Sequence, residues 1–535
     1  MFKKNTLLIL VLIIISLSIT FICQKDALFN KYIIHDDCNQ YIFPFYRVRD
    51  RQLFQNDIFT DYSLHYNTKG VVIIYNLFSK VIDPLFLSKI LPFFLCSLTT
   101  IYFFLIGEKI KNIFVGFLAG IIFIMHSWTF SCFSGGHAKA FSFLLLSSLI
   151  YYLLIEHYFV MVIILALQIF IYPPVAAISI LALLILSFLI TINKQEIYQS
   201  LKSKQSFFIC TLLLGTSLMY LLYLLPNKFM GPLFSFREII KMPEFYFGGR
   251  DPHFITSLKA LKNEAIAENI IGIPPYRFPT WFLLSISSIG LFLVIRKEIE
   301  VNFILNIFCI SGILLFIFAW PLLLNLYSPG RYLKFALITY LIFISALVIE
   351  KTFIDFGNNK KFLRLALIVV IIIIIYFPFL SSNLTVFNNT GLYSFLSTLP
   401  KDALIAGHPF EINEVPLFSK RKVFIEYELS LPYYKNYYKK IVQRTNDFFK
   451  LYYSSSVDEI KNICSNYNIN YIVIKKEHFT RSYLDNNNFY IMPFSNKIQE
   501  IVLQNKGKGF ALLSILQKYK LYEDENYFVV KIDSM

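Results

Sequence analysis

Charged side chains are scarce in this sequence. Asp, Glu, Lys and Arg make up only 16% of its 535 residues, whereas a soluble globular domain carries about 25%. Hydrophobic residues make up 56%, and the chain contains 57 Phe. This balance excludes an ordinary soluble domain and indicates an integral membrane protein.

Paired cysteines and glycine-rich motifs are also missing. The seven cysteines include no CxxC pair and no zinc-type spacing, so we expect neither a disulfide framework nor a cysteine-based metal cluster. No glycine-rich nucleotide fingerprint follows a predicted strand. The first apolar run, residues 6–23, lacks a small-x-small cleavage site, which indicates an uncleaved signal anchor.

The net charge of +16 is distributed in the manner of a membrane protein. Basic residues largely flank the apolar runs, as the positive-inside rule requires, so we expect a lipid bilayer as partner and no nucleic acid. The runs predict a multi-pass domain of about eleven membrane helices over residues 1–380, with large outer loops at 24–83 and 226–280. The N-terminus then lies inside, and residues 381–535 lie outside.

Residues 381–535 have the composition of a soluble domain. Short apolar runs at 403–407, 422–427 and 471–475 predict strands, and residues 527–532 predict a final one. Helical patterns lie between the second and third runs. Strands that alternate with helices indicate an extracytoplasmic α/β domain with a partly parallel sheet.

An acidic pair, Asp36 and Asp37, follows the first apolar run and lies beside His35. Ionisable groups at a membrane boundary are functional candidates. Neighbouring side chains point in different directions, so one carboxylate faces a pocket while the other binds backbone, a basic residue or a metal. We predict that both are catalytic and prefer Asp36 as the base. A purely structural pair, capping a helix or facing headgroup water, is the alternative.

Basic residues on the same predicted side suit a substrate that carries a phosphate, because guanidinium groups bind phosphate oxygens in a fork. The candidate substrate-binding residues are His35, Arg47, Arg49, His137, Lys139, Arg250 and Arg331. The alternative for each arginine is an interfacial anchor or an ion-pair partner. Asp37 and Asp57 are candidate ligands of a divalent cation, Mg²⁺ or Mn²⁺, which would serve as cofactor.

This layout resembles the GT-C superfamily of membrane glycosyltransferases, including the oligosaccharyltransferases and related bacterial members. Asp36 and Asp37 are similar to the first-loop acidic motif of that family, and Arg331 is loosely similar to a basic residue in a late outer loop. The resemblance implies transfer of a sugar from a polyprenyl-phosphate-linked donor to a glycan or lipid acceptor, at the outer face of the bacterial cytoplasmic membrane. The chain lacks a Trp-Trp-Asp acceptor motif, which argues against transfer to protein asparagine.

Two other functions stay open at this point. The first is a transporter or flippase of lipid-linked sugars, which would show midplane ionisable groups, broken helices and often two related halves. His126 and Glu156 are the few candidates for such groups, and they lie near helix ends. The second is a non-catalytic protein of surface assembly.

Overall fold

The structure is a computed structural model, and it describes residues 2–126, 132–192, 205–219, 229–254, 278–326, 328–354, 384–486 and 489–532. Apolar helices dominate up to residue 354, and an α/β domain follows from residue 384. The last predicted span, residues 365–380, lies outside the described ranges. The boundary between the two predicted domains falls there as well.

The first part of the chain is helical because a helix satisfies its backbone hydrogen bonds internally, as lipid requires. Its helices are α1 Phe2–Phe29, α2 Cys38–Tyr41, α3 Ile58–Tyr66, α4 Lys69–Phe78, α5 Pro84–Ile110, α6 Ile113–Met125, α7 Ser142–Leu154, α8 Tyr158–Ile171, α9 Pro173–Ile192, α10 Gln205–Met219, α11 Phe236–Ile239, α12 Phe278–Ile295, α13 Phe303–Ala319 and α14 Gly330–Ile354. Short 3₁₀ helices cover Phe43–Val48, Ala138–Phe141 and Pro243–Phe245.

Within the described ranges, four helices are long and apolar enough to cross a membrane: Thr6–Phe29, Pro84–Ile110, Pro173–Ile190 and Gly330–Thr352. Shorter apolar helices lie at Ile113–Met125, Ala138–Leu154, Tyr158–Ile171, Leu284–Ile295 and Phe303–Ala319, within other predicted spans. This arrangement supports a multi-pass membrane protein. The finer prediction of about eleven spans stays a prediction.

Two predicted boundaries can be compared directly with the helices. Helix α1 extends to Phe29, so residues 24–29, which were predicted as loop, are helical. The predicted break at Tyr172 is confirmed, since α8 ends at Ile171 and α9 begins at Pro173. Proline is tolerated at the first helical position, where its missing N–H leaves no hydrogen bond unmade.

The α/β domain contains helices α15 Thr390–Thr398, α16 Val415–Phe418, α17 Lys435–Tyr452, α18 Val457–Tyr467, α19 Arg481–Asp485, α20 Phe494–Lys506, α21 Ala511–Ser514 and α22 Leu516–Tyr519, with a 3₁₀ helix at Lys476–Phe479. The strands of the chain are β1 Ile33–His35, β2 Leu384–Val386, β3 Leu404–Gly407, β4 Lys422–Val423, β5 Tyr471–Lys475, β6 Lys520–Glu523 and β7 Tyr527–Lys531.

The five-stranded sheet has the order β4-β3-β5-β7-β6. Strand β3 is parallel to both β4 and β5, while β7 pairs antiparallel with β5 and β6. The predicted partly parallel sheet is therefore present. Strand β4 is shorter than the predicted run, and β6 was not predicted.

A separate pair of strands joins the start of the chain to the α/β domain. Strand β1 pairs antiparallel with β2, and Ile33 lies opposite Val386. Just before β1, Lys31 Nζ donates a hydrogen bond of 3.2 Å to the Phe418 carbonyl oxygen. The segment that leads into the acidic pair is therefore held against the domain that begins near residue 384.

Candidate active site

The acidic pair lies in the turn between β1 and α2. The Asp36 side chain is 66% exposed, whereas that of Asp37 is 26% exposed. The buried His35 ring places Nδ1 3.0 Å from Asp36 Oδ1 and 3.6 Å from Asp37 Oδ2. The two neighbours thus face different surroundings, as their adjacency predicts.

Asp37 is surrounded by positive and hydrogen-bonding groups from a second loop. Lys139 Nζ donates a hydrogen bond of 2.6 Å to Asp37 Oδ2, and His137 Nε2 lies 3.2 Å from the same oxygen. Burial opposes the charge, but Lys139, His137 and His35 together hold the pKa of Asp37 well below its usual range. Asp37 is therefore ionised and a weak base, which suits orientation better than proton transfer.

His137 reaches Asp37 because of the tight Gly135–Gly136 turn. Both glycines have positive φ, 84° and 60°, and a Cβ atom on Gly136 would lie only 2.8 Å from the Ser88 carbonyl oxygen. The Tyr41 ring stacks on the imidazole with centroids 4.9 Å apart. Burial lowers the pKa of His137 to about 4, so the ring is neutral near pH 7. Its contact with Asp37 then assigns the proton to Nε2.

Arg250 brings the α/β domain to this site. Its Nε donates to the Tyr427 carbonyl oxygen at 2.9 Å, and Nη2 donates to Glu428 Oε2 at 2.9 Å. Gln40, from the acidic loop, donates to the same carboxylate. Burial raises the pKa of Glu428; the Arg250 charge lowers it, and the Asp37 charge raises it further. Glu428 was not identified as a site residue from the sequence, although Glu428 closely follows the apolar run that contains β4.

Arg331 lies in a neighbouring polar chamber. Its Nη1 donates a hydrogen bond of 3.5 Å to the Tyr172 hydroxyl oxygen. With Asp251, His253 and Tyr433, Arg331 lines a cavity of about 40 Å³. Asp251, which lines this chamber, directly follows Arg250, and Arg250 contacts the same Glu428 carboxylate as Gln40 beside the acidic pair.

The other predicted residues lie apart from the cluster. Arg47 is half-buried on the 3₁₀ helix Phe43–Val48, and Arg49 is exposed at the end of that helix. Over the described ranges, no ion pair joins either arginine to Asp36 or Asp37. Asp57 is buried and caps α3, accepting hydrogen bonds from Thr60 N at 2.9 Å and Thr60 Oγ1 at 2.6 Å. Capping engages Oδ2 of Asp57, and the predicted metal pair of Asp37 and Asp57 stays a prediction.

Two groups of side chains in the described part of the chain could hold a metal ion. In the first, donor atoms of His35, Asp36 and Asp37 lie within 4.8 Å of one another. The ammonium of Lys139 already contacts Asp37 Oδ2, so a cation here would bind chiefly through His35 and Asp36. The second group is His408, Glu411 and His478 in the α/β domain.

The succession of apolar helices, acidic loop and α/β domain defines the class of the fold. It is the GT-C fold of membrane glycosyltransferases, which confirms the predicted resemblance at the level of fold. The Dpy19 family model, described as Q-cell neuroblast polarisation, matches residues 326–531. No curated protein matches the chain.

Solved structures of this class extend over nearly the whole chain. The apo oligosaccharyltransferase of Archaeoglobus fulgidus has a TM-score of 0.54 at 11% identity, covering 91% of this chain and 72% of that one. The archaeal oligosaccharyltransferase AglB of the same organism, in complex with an inhibitory peptide and a dolichol-phosphate, has a TM-score of 0.51 at 13% identity, with coverages of 93% and 72%. Apo ArnT from Cupriavidus metallidurans has a TM-score of 0.54 at 11% identity, with coverages of 99% and 98%.

Proposed function

We propose that this protein is a membrane glycosyltransferase. It transfers a sugar from a polyprenyl-phosphate carrier to a hydroxyl of a cell-surface glycan or lipid, at the outer face of the cytoplasmic membrane. The observation that carries the proposal is the acidic turn, in which exposed Asp36 lies beside an Asp37 held ionised by Lys139 and His137. The similarity to GT-C structures, one of them in complex with a dolichol-phosphate, supports a lipid-linked donor.

The two carboxylates have separate roles in this mechanism. Asp36 takes the proton of the acceptor hydroxyl while that oxygen bonds to the anomeric carbon of the sugar. The bond between this carbon and the phosphate oxygen breaks, and the carrier phosphate leaves with the electron pair. Asp37, fixed by Lys139 and His137, orients the turn that carries Asp36. A divalent cation held chiefly by His35 and Asp36 would neutralise charge at the leaving phosphate.

Basic residues beside the turn supply the binding of the donor phosphate. Lys139 lies against Asp37, and Arg331 lies in the adjacent chamber near Tyr172. A guanidinium binds phosphate through two parallel hydrogen bonds, whereas an ammonium acts as a point charge. We therefore assign donor binding to Arg331 and Lys139. Arg250 holds Glu428 and the α/β domain in place.

The test compares isosteric variants of the acidic turn in sugar transfer. Asp36→Asn removes the base, and we expect it to lower transfer from a polyprenyl-phosphate-sugar by about a hundredfold or more. Asp37→Asn should lower transfer less, and Arg331→Lys should chiefly raise the KM for the donor. Asp61→Asn, an exposed carboxylate in the same loop, is the matched control and should keep full activity.

Membrane insertion and thermal unfolding of each variant are measured in parallel, so that loss of fold is distinguished from loss of chemistry. Full transfer by both single variants and by the double variant Asp36→Asn/Asp37→Asn would overturn the assignment. A transporter or an assembly protein would then account better for the fold.

A further inference from the structure

A second cluster of ligand-type side chains lies in the α/β domain, outside the proposed active site. Donor atoms of His408, Glu411 and His478 all lie within 4.8 Å of one another. His478 Nε2 is 3.8 Å from Glu411 Oε1, and the two imidazole rings have centroids 4.5 Å apart. Both histidines are 2% exposed. Three side chains of the types that bind zinc therefore lie close together around a buried position.

Each imidazole is oriented by its other nitrogen. His408 Nε2 lies 3.0 Å from the Phe489 carbonyl oxygen, an acceptor, so Nε2 carries the proton and Nδ1 presents a lone pair. His478 Nδ1 lies 3.2 Å from the Tyr452 hydroxyl, which leaves Nε2 directed at Glu411. A metal-binding histidine is held in this way, with the outer nitrogen bonded to a carbonyl or another polar group. The Phe410 backbone N–H donates a long hydrogen bond of 3.4 Å to His408 Nδ1.

The place of the cluster in the sheet is the one where α/β folds bind ligands. His408 directly follows β3, and His478 lies in the 3₁₀ helix directly after β5. These two strands are adjacent and parallel, yet the chain leaves β3 toward β4 and leaves β5 toward β6, at the opposite edge of the sheet. Ligands bind at such a switch point, outside the carboxyl ends of the strands.

Both carboxylate oxygens of Glu411 contact neighbours, and a metal would take the place of Lys475 at Oε1. Lys475 Nζ is 2.9 Å from Oε1, and the Tyr527 hydroxyl donates to Oε2. Lys475 also lies 3.3 Å from Glu477 Oε2, so its charge keeps a partner if Glu411 turns to a metal.

We propose that His408 Nδ1, His478 Nε2 and Glu411 bind a zinc ion that joins the carboxyl ends of β3 and β5. Two imidazoles and one carboxylate, with a fourth position for water, are a typical zinc ligand set. Mg²⁺ and Ca²⁺ prefer oxygen ligands alone, so this site differs in kind from a divalent-cation site at Asp36. The zinc site does not depend on the proposed transferase activity.

Zinc content of the full-length protein tests the site. The detergent-purified chain is incubated with zinc chloride, freed of loosely bound metal by gel filtration, and analysed for metal and protein. We expect zinc bound in a one-to-one ratio, and its loss in His408→Gln, His478→Gln and Glu411→Gln. Glu523→Gln is the matched control, since Glu523 pairs with Lys476 and Lys520 in the same domain and offers no ligand to the cluster. It should retain zinc.

Three further readouts distinguish a built zinc site from zinc bound loosely elsewhere on the chain. Zinc should raise the midpoint of thermal unfolding of the wild type and leave that of Glu411→Gln unchanged, because a ligand stabilises only a fold that binds it. Cobalt(II) bound at the site should show the visible absorption of four-coordinate geometry. The double variant Asp36→Asn/Asp37→Asn should keep its zinc. Absence of zinc from the wild type, or undiminished zinc in Glu411→Gln, would overturn the proposal.

Discussion

At the scale of single residues, His137 shows how burial prepares the site. Its side chain is 3% exposed and contacts Asp37, while Tyr41 covers one face of the ring. Burial lowers its pKa to about 4, against an ordinary value of 6.5. Between these two values the unfolded chain binds a proton that the folded chain does not. The folded state is therefore favoured by higher pH across this window.

This difference in proton binding predicts a measurable pH dependence of stability. The midpoint of thermal unfolding of the wild type should fall as the pH drops from 6.5 to about 4, with a contribution of roughly 2–3 kcal/mol from His137. His137→Gln keeps an N–H donor but does not titrate, so its midpoint should fall less over the same window. Parallel profiles for the two proteins would contradict the assignment.

Sequence reasoning could predict which residue types form the site but not how they pair. Asp36 and Asp37 stood out because two carboxylates follow an apolar run. Their roles depend on His137 and Lys139, which are about a hundred residues away, so the choice of Asp36 as the exposed carboxylate could not be derived locally. Glu428 belongs to the α/β domain and meets Asp37 only through the tertiary fold.

At the scale of elements, the pairing of β1 with β2 is a feature that local sequence could not predict. Each strand has three residues, and the partners are about 350 residues apart. The apolar runs, in contrast, predicted the apolar helices of a multi-pass membrane protein, because the length and composition of a run are local properties, while the number of spans stays a prediction. The same locality explains why β3, β5 and β7 were predicted and the polar strand β6 was not.

An engineered disulfide tests the register of β1 and β2. Ile33→Cys with Val386→Cys places two cysteines directly opposite each other, where Cα atoms of an antiparallel pair are about 4.5–5.5 Å apart. This separation suits a disulfide, so we expect efficient cross-linking under oxidising conditions, detected by mass spectrometry of the joined peptides. Ile33→Cys with Thr385→Cys shifts the partner by one residue to the other face and should cross-link poorly. Equal yields from both pairs would show that the register is wrong.

At the scale of the whole molecule, contacts from several loops join the membrane part to the α/β domain. Among them are the β1–β2 pair, the hydrogen bonds of Arg250 to Tyr427 and Glu428, and the ion pair of Lys401 Nζ with Asp50 at 2.7 Å. The proposed catalytic turn and the domain therefore share one side of the membrane. Basic residues between the apolar runs predict that this side is the outside.

Labelling of single cysteines tests this orientation for the whole chain. Leu503→Cys lies on α20 of the α/β domain at a position that is 65% exposed, and Glu300→Cys lies in the exposed link between α12 and α13. That link is at the opposite end of α13 from the Arg331 chamber, so the two cysteines should face opposite sides. A membrane-impermeant maleimide, applied to cells stripped of any outer barrier, should label Leu503→Cys before lysis and Glu300→Cys only afterwards.

The unsubstituted protein gives the background from native cysteines. The reverse pattern would place the acidic turn in the cytoplasm and exclude transfer at the outer face.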